Sequence, residues 1–247
     1  MMIRLPKFIW GDEVFVMLNI SGLEAGYGES MVLRNVELQI KPGQVVCLMG
    51  RNGVGKTTLM KTIMGLIKNK KGSLTYDGRD ITSATPDRRA KGGIGYVPQG
   101  RDIFPQLTVE ENLLLGLEAS SIRKTSIPET VYEMFPVLKE MIRRKGGDLS
   151  GGQQQQLSIA RALVAEPKLL LLDEPMEGIQ PSIVMEIEHV IEKIKASKQM
   201  SVLLIEQSLT FATRIADYYY VLDKGTIVAE GSSSSLSEDQ VKKHLAV

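Results

Sequence analysis

Eight residues, GRNGVGKT from Gly50 to Thr57, constrain this 247-residue chain more than any other stretch. They complete a G-x-x-x-x-G-K-[ST] pattern, with the apolar run VVCLM before it and TTLMKTIMGLI, whose apolar residues recur at helical spacing, after it. A short continuous apolar run ending on glycine reads as a buried strand of a parallel sheet. Strand, loop and helix in that order are what phosphate binding requires: glycines let the backbone curl so that successive N–H groups face phosphate oxygens, and the helix N-terminus adds a favourable dipole. Lys56 supplies a point charge to the β and γ phosphates, and the Thr57 hydroxyl can ligate magnesium. Gly50, Arg51, Asn52, Gly53, Val54, Gly55, Lys56, Thr57 and Thr58 therefore form a candidate nucleotide loop. The loop by itself leaves an ATPase, a GTPase and a small-molecule kinase open. The NK of NKKG, Asn69 to Gly72, lacks the aspartate with which a GTPase reads guanine.

A second apolar run, LLLLDE from Leu169 to Glu174, ends on two carboxylates. Asp173 is suited to the magnesium shell, and Glu174 to orienting or deprotonating an attacking water. A third run, VLLIEQ, ends on Glu206 and Gln207. Between these two runs SIVMEIEHVIEKIKAS repeats its apolar residues at three and four, the spacing of a helix face. Alternating strands and helices predict an α/β sheet.

The flanking segments read differently. LNISGLEAGYG and VLRNVELQI alternate like half-buried strands, and GSLTYDG predicts another strand closing on an Asp77-Gly78 turn. Gly65 stands near the end of the helix after the loop as a cap or packing site. From about Leu107 the pattern turns helical: Thr108 and Glu111 make a capping box opening ENLLLGL, and VYEMFPVLKEMIRR follows as a second amphipathic stretch. YYYVLDKGTIVAEG predicts a hairpin turning at Lys224-Gly225, and Ser237 with Gln240 marks a short terminal helix after a serine linker.

Charge and composition exclude several classes. Thirty basic against twenty-nine acidic residues, a net charge of +1, provide no global field for nucleic acid. IRRK (142–145) and DRRAK (87–91) read as solvated faces. No apolar run approaches the roughly 18 residues of a membrane span, so the chain is expected to be soluble. Cys47, the single cysteine, lies between Val46 and Leu48 as a core thiol, and His189 and His244 fall on predicted helices away from any metal-ligand spacing. The early positive charge of MMIRLPKFIWGDEVFVML is followed by Gly11, Asp12 and Glu13, which break a secretory core. Residues 1–16 are either a peripheral arm or an upstream start extension.

LSGGQ, Leu149 to Gln153, decides the class. With GRNGVGKTT, VPQG and LLLLDEP in this order, the chain resembles the ATP-binding subunits of ABC transporters from Leu18 to Val247. The resemblance implies a P-loop NTPase of α/β class with a recombinase-like core, an antiparallel β subdomain and a helical subdomain over about 100–165, within an ATPase domain of 17–247. It implies ATP and Mg2+, with a second ATP-binding subunit paired head to tail, so that each ATP lies between one subunit's phosphate loop and the signature Ser150, Gly151, Gly152 and Gln153 of the other. By position, Tyr27 matches the aromatic that stacks on adenine. Gln99 matches the glutamine that contacts magnesium and the attacking water, joining Thr57 and Asp173 at the metal, and Glu174 matches the catalytic carboxylate. The implied partners are two membrane permease subunits and, indirectly, a periplasmic solute-binding protein, with this chain peripheral on the cytoplasmic face of the inner membrane and no nucleic acid involved.

More narrowly, VCLMGRNGVGKTTLMKTIMGLI and IGYVPQGRDIFPQLTVEENLLLGL look like the branched-chain amino acid and amide uptake branch, and QQQQ with EGIQPSIV looks most like its urea-uptake members. A branched-chain amino acid importer subunit is the alternative, followed by a non-transport ABC ATPase acting on DNA or ribosomes and by a regulatory subunit that barely hydrolyses. Three positions depart from the wider family: Met176 stands for a hydroxyl residue, Gln180 for an aspartate and Gln207 for the histidine that senses the γ-phosphate. Glutamine can donate and accept hydrogen bonds but carries no proton near neutral pH. Gln207 is therefore expected to position, and Glu174 to activate.

Overall fold

The structure, a computed structural model, describes residues 15–120 and 125–235. The capping box at Ser237, His244 and most of the 1–16 segment lie outside these residues.

Two alternating segments pair first. β1 (Leu18–Tyr27) and β2 (Ser30–Ile40) run antiparallel, and β4 (Asn69–Tyr76) with β5 (Arg79–Asp80) extends them into a sheet ordered β2-β1-β4-β5. The β4–β5 turn is tight, with Asp77 at φ 48° and Gly78 at φ 73°, as the Asp-Gly pair predicts.

The continuous apolar runs build the second sheet, whose remaining strands are β3 (Val45–Met49), β6 (Ile94–Val97), β7 (Leu169–Asp173), β8 (Ser201–Ile205), β9 (Tyr218–Asp223) and β10 (Thr226–Ser232), ordered β10-β9-β3-β8-β7-β6. All its pairs are parallel except the β9–β10 hairpin, which turns at Lys224 and Gly225. Every residue of β3, β7 and β8 is buried, because both faces are covered. The alternation of strand side chains splits LLLL between the two sides: Leu169 and Leu171 face the antiparallel sheet and α1 (Lys56–Met64), while Leu170 and Leu172 face the helices beyond. Truncating one of these leucines to alanine would cost about 2–5 kcal/mol.

The second face is covered by α3 (Val109–Gly116), α6 (Gly151–Leu163), α7 (Pro181–Ser197) and α8 (Leu209–Ile215). The Thr108–Glu111 capping box is present at α3. VYEMFPVLKEMIRR is two short helices rather than one stretch, α4 (Glu129–Met134) and α5 (Pro136–Glu140). Pro136 is the cause, since its ring excludes the helical region for Phe135, which sits at φ −132°, ψ 71°.

DRRAK also departs from the expected solvated face. It forms α2 (Pro86–Lys91), and Arg89 points inward at 4% exposure. Its guanidinium donates to the carbonyls of Thr62, Ile63, Ala84 and Thr82 at 2.7 to 3.1 Å, closing the C-terminal end of α1. Cys47 is fully buried, and burial pushes its thiol up, as befits an inert core residue. His189 is exposed beside Glu192, a solvated role.

Register decides where chemistry can occur. Leu48 pairs with Ile205, Asp173 with Ile205, and Val97 with Leu172. The carboxyl ends of β3, β6, β7 and β8 therefore finish at one sheet edge, and Gly50, Gln99, Glu174 and Gln207 leave from it together. Ligands of open parallel sheets bind at such an edge.

Candidate nucleotide site

The loop between β3 and α1 is shaped by contacts that only glycine permits. Gly50 has φ 154°, and a Cβ there would lie 2.4 Å from the Leu222 carbonyl oxygen of β9. The β9–β10 turn also braces the loop, because the Gly225 N–H donates to the Val54 carbonyl at 3.0 Å. Lys56 is 5% exposed, and its Nζ donates to the carbonyls of Gly50 (2.8 Å) and Arg51 (3.0 Å) and pairs with Glu174 Oε1 at 3.4 Å.

Asp173 is fully buried at the end of β7. Its Oδ1 accepts from the Thr57 hydroxyl at 3.3 Å, while Oδ2 is buried with no hydrogen-bond partner. Burial first, and the Glu174 charge after it, push the Asp173 carboxyl up, with the Thr57 hydrogen bond opposing. An unsatisfied carboxylate oxygen beside a threonine hydroxyl fits a hard, oxygen-ligated cation such as Mg2+. The Tyr96 hydroxyl is buried nearby, and its pKa is driven up by burial and by the Asp173 charge.

Glu174, the next residue, adopts φ 49° and thereby leaves the strand direction. Both of its carboxylate oxygens are held. Oε1 accepts from Gln207 Nε2 at 3.1 Å in addition to Lys56, and Oε2 accepts from Gln99 Nε2 at 3.1 Å. The two amides bridge outward, Gln207 to Asn52 Oδ1 at 2.8 Å and Gln99 to Glu177 Oε2 at 2.7 Å. Beside them Glu206 accepts from the Gln207 N–H at 3.2 Å, and burial raises its carboxyl pKa.

An open cleft of about 440 Å3 is lined by Tyr27, Val32, the loop and α1 residues Asn52, Gly53, Gly55, Lys56, Thr57 and Thr58, and by Gln99 and Glu174. Tyr27, at the end of β1, is 52% exposed. A second cleft of about 330 Å3 adjoins it at Asn52 and Glu174, with Met176, Glu177, Glu206 and Gln207. The loop, both carboxylates, Tyr27, Gln99 and Gln207 thus converge on one region. Ser150, Gly151, Gly152 and Gln153 line neither cleft. They start α6, where Ser150 and Gln153 form a reciprocal capping box. Gln180 caps α7 with no side-chain bond to the helix, and Met176 packs against the apolar layer below α6 and α7.

A family model for ABC transporters matches residues 33–177, which span the phosphate loop, Gln99, the signature and the Asp173–Glu174 pair. The chain belongs to the ABC transporter family. This ABC ATPase is 38% identical, over 89% of its length and 94% of the relative's, to the high-affinity branched-chain amino acid transport ATP-binding protein BraG of Pseudomonas aeruginosa. It is 37% identical, over 91% and 95%, to the probable branched-chain amino acid transport ATP-binding protein LivF of Archaeoglobus fulgidus. Against the lipopolysaccharide export system ATP-binding protein LptB of Haemophilus influenzae the identity is 34%, over 92% and 95%. Its fold superposes on a crystal structure of a nucleotide-free ATP-binding cassette from an ABC transporter with a TM-score of 0.79 and 29% identity, covering 94% of this chain and 96% of that one. It is an α/β P-loop ATPase, and ATP hydrolysis is its family activity.

Two residues outside the sequence motifs join the site of this ABC ATPase. Glu177 becomes the second acceptor for Gln99. Val32 enters the wall of the cleft because β2 turns back beside Tyr27. An acid three residues beyond Glu174 on a loop was the available signal for Glu177; nothing local marked Val32.

Proposed function

We propose that this ABC ATPase powers solute import through separate membrane subunits, with branched-chain amino acids as the transported class. The observation that carries the substrate reading is the likeness to BraG and LivF over about nine-tenths of the chain, exceeding that to the export protein LptB. It favours this class over urea, for which the wording QQQQ and EGIQPSIV remains the sole support. In this reading residues 17–247 are the ATPase domain, those of about 100–165 its helical subdomain, and two copies or two related subunits pair head to tail.

In the proposed mechanism Tyr27 stacks on the adenine, the loop N–H groups hold the phosphates, and the Lys56 amine shifts from the loop carbonyls towards the β and γ oxygens. Thr57, Asp173 and Gln99 hold Mg2+, which when bound supplies charge neutralisation across the phosphates. Glu174 takes a proton from the attacking water. Gln99 and Gln207 orient the Glu174 carboxylate, whose Oε2 takes a single donor and keeps a lone pair for that proton, and arrival of the γ-phosphate gives Gln207 and Lys56 a competing acceptor. Chemistry is thereby tied to nucleotide binding. The exposed apolar side chains of Leu66, Phe104 and Leu115 border an open groove on another face, which serves in this reading as the seat of the membrane subunits.

The test is uptake of labelled leucine and labelled urea by proteoliposomes containing this chain, its cognate permeases and binding protein. ATP-dependent leucine accumulation supports the reading. Urea accumulation in its place would reassign the substrate, and accumulation of neither would remove the importer role for both solutes.

A further inference from the structure

We infer that Arg101 contacts phosphate in trans: its guanidinium donates to the phosphate chain of the ATP held by the second ATP-binding subunit, alongside Ser150 and Gly151. The inference rests on the head-to-tail pairing proposed above.

The loop after Gln99 is held in a costly conformation. Gly100, Arg101 and Asp102 have φ of 91°, 76° and 48°, so two consecutive residues with side chains occupy the left-handed region. Such backbone persists only when its surroundings fix it, and here α6 does so. The Ser158 hydroxyl donates to the Arg101 carbonyl, and Arg161 donates to the Asp102 carbonyl at 2.6 Å while lying 5.1 Å over the Phe104 ring. The loop and α6 are therefore one unit.

This anchoring brings the half-buried Arg101 side chain against the first turn of α6. A Cβ on Gly151 would lie 2.7 Å from Arg101 Nη1 and 3.0 Å from Nη2. The first turn of α6 carries no acidic residue, and among the described residues the Arg101 guanidinium has no hydrogen-bond or ion-pair partner. A cation beside the positive end of a 13-residue helix is electrostatically unfavourable unless an anion shares the site. Lys56 provides the contrast, because Glu174 neutralises it within the chain. Among the described residues no group does the same for Arg101. A planar guanidinium fork matches two phosphate oxygens, and with the Ser150 hydroxyl exposed beside it the approaching anion meets both.

The experiment uses the full chain carrying Glu174→Gln, which slows turnover, and measures ATP-driven dimerisation by sedimentation together with ATP affinity at a protein concentration where the chain is monomeric. Adding Arg101→Met, which keeps the apolar stem, is expected to weaken dimerisation roughly tenfold or more, the scale of one lost charge-assisted hydrogen bond, with monomer ATP affinity held. Arg101→Lys is expected to recover part of it. Equal dimerisation with and without Arg101→Met overturns the role of Arg101 and leaves the pairing intact. A loss of ATP affinity in the monomer also overturns it, because the residue would then act within its own subunit. If the Glu174→Gln parent stays monomeric at saturating ATP, the pairing is wrong and the role of Arg101 falls with it.

Discussion

The Gln207 amide donates to Glu174 Oε1 at 3.1 Å and to Asn52 Oδ1 at 2.8 Å, joining the end of β8, the end of β7 and the phosphate loop through one side chain. A histidine at this position could bring a charge. Glutamine brings only direction, which makes its contribution one of geometry. Gln207→Ala is expected to lower ATP turnover in the assembled transporter roughly tenfold, the scale of one hydrogen bond to a charged group, with little change in KM for ATP. Turnover equal to wild type would remove the positioning role. Gln207→His is expected to introduce a titration: its turnover relative to wild type should change between about pH 6 and 7, where an imidazole changes charge. A ratio constant across that range would show that residue 207 does not couple to the reacting groups.

Arg89 makes a second prediction, on stability. Its guanidinium serves carbonyls of Thr62, Ile63, Ala84 and Thr82, and an alanine there would leave those of Ile63, Ala84 and Thr82 unmatched, Thr62 keeping the Gly65 N–H. Arg89→Ala is expected to cost about 3 kcal/mol or more, and Arg89→Lys a large part of that, because an ammonium cannot reproduce the fork. Thermal unfolding should show a Tm lower by about 6 °C or more for the alanine variant. An unchanged Tm would mean that water serves these carbonyls equally well.

The segments that could be read from sequence are those whose information is local. Alternation gave away β1 and β2, uninterrupted apolar runs β3, β7 and β8, and the threonine cap the start of α3. The convergence of Lys56, Asp173, Glu174, Gln99 and Gln207 was also foreseeable, since each lies at or beyond the carboxyl end of a strand and parallel strands finish at one edge. Arg89 was not foreseeable, because its partners are backbone carbonyls more than 25 positions away at Thr62 and Ile63, and no side-chain pattern encodes a carbonyl. The bracing of Val54 by Gly225 and the seat of Arg101 on Gly151 are likewise tertiary. The break between α4 and α5 was written in Pro136, but the amphipathic period on either side masked it.

Glu206 gives a prediction in pH. Burial, and then the Glu174 and Glu188 charges, raise its carboxyl pKa above the ordinary value of 4.5. A carboxyl whose folded pKa exceeds its unfolded one favours folding below the unfolded value, and that contribution is lost as pH rises through the folded value. Glu206→Gln, which keeps an oxygen acceptor for the Gln207 N–H, should therefore raise Tm relative to wild type more at pH 8 than at pH 5. Calorimetry at the two values checks this, and a difference of the opposite sign would mean that the carboxylate is stabilised where it lies.

The measurement that bears most directly on the account is ATP turnover by Glu174→Gln in the assembled transporter. With Lys56, Gln99 and Gln207 all aimed at Glu174, this residue is the proposed proton acceptor, and removing a general base lowers a rate by roughly 10² to 10⁴. The account predicts a fall of that size with ATP retained unhydrolysed on the protein. Turnover at the wild-type rate would contradict it and assign the base to another residue.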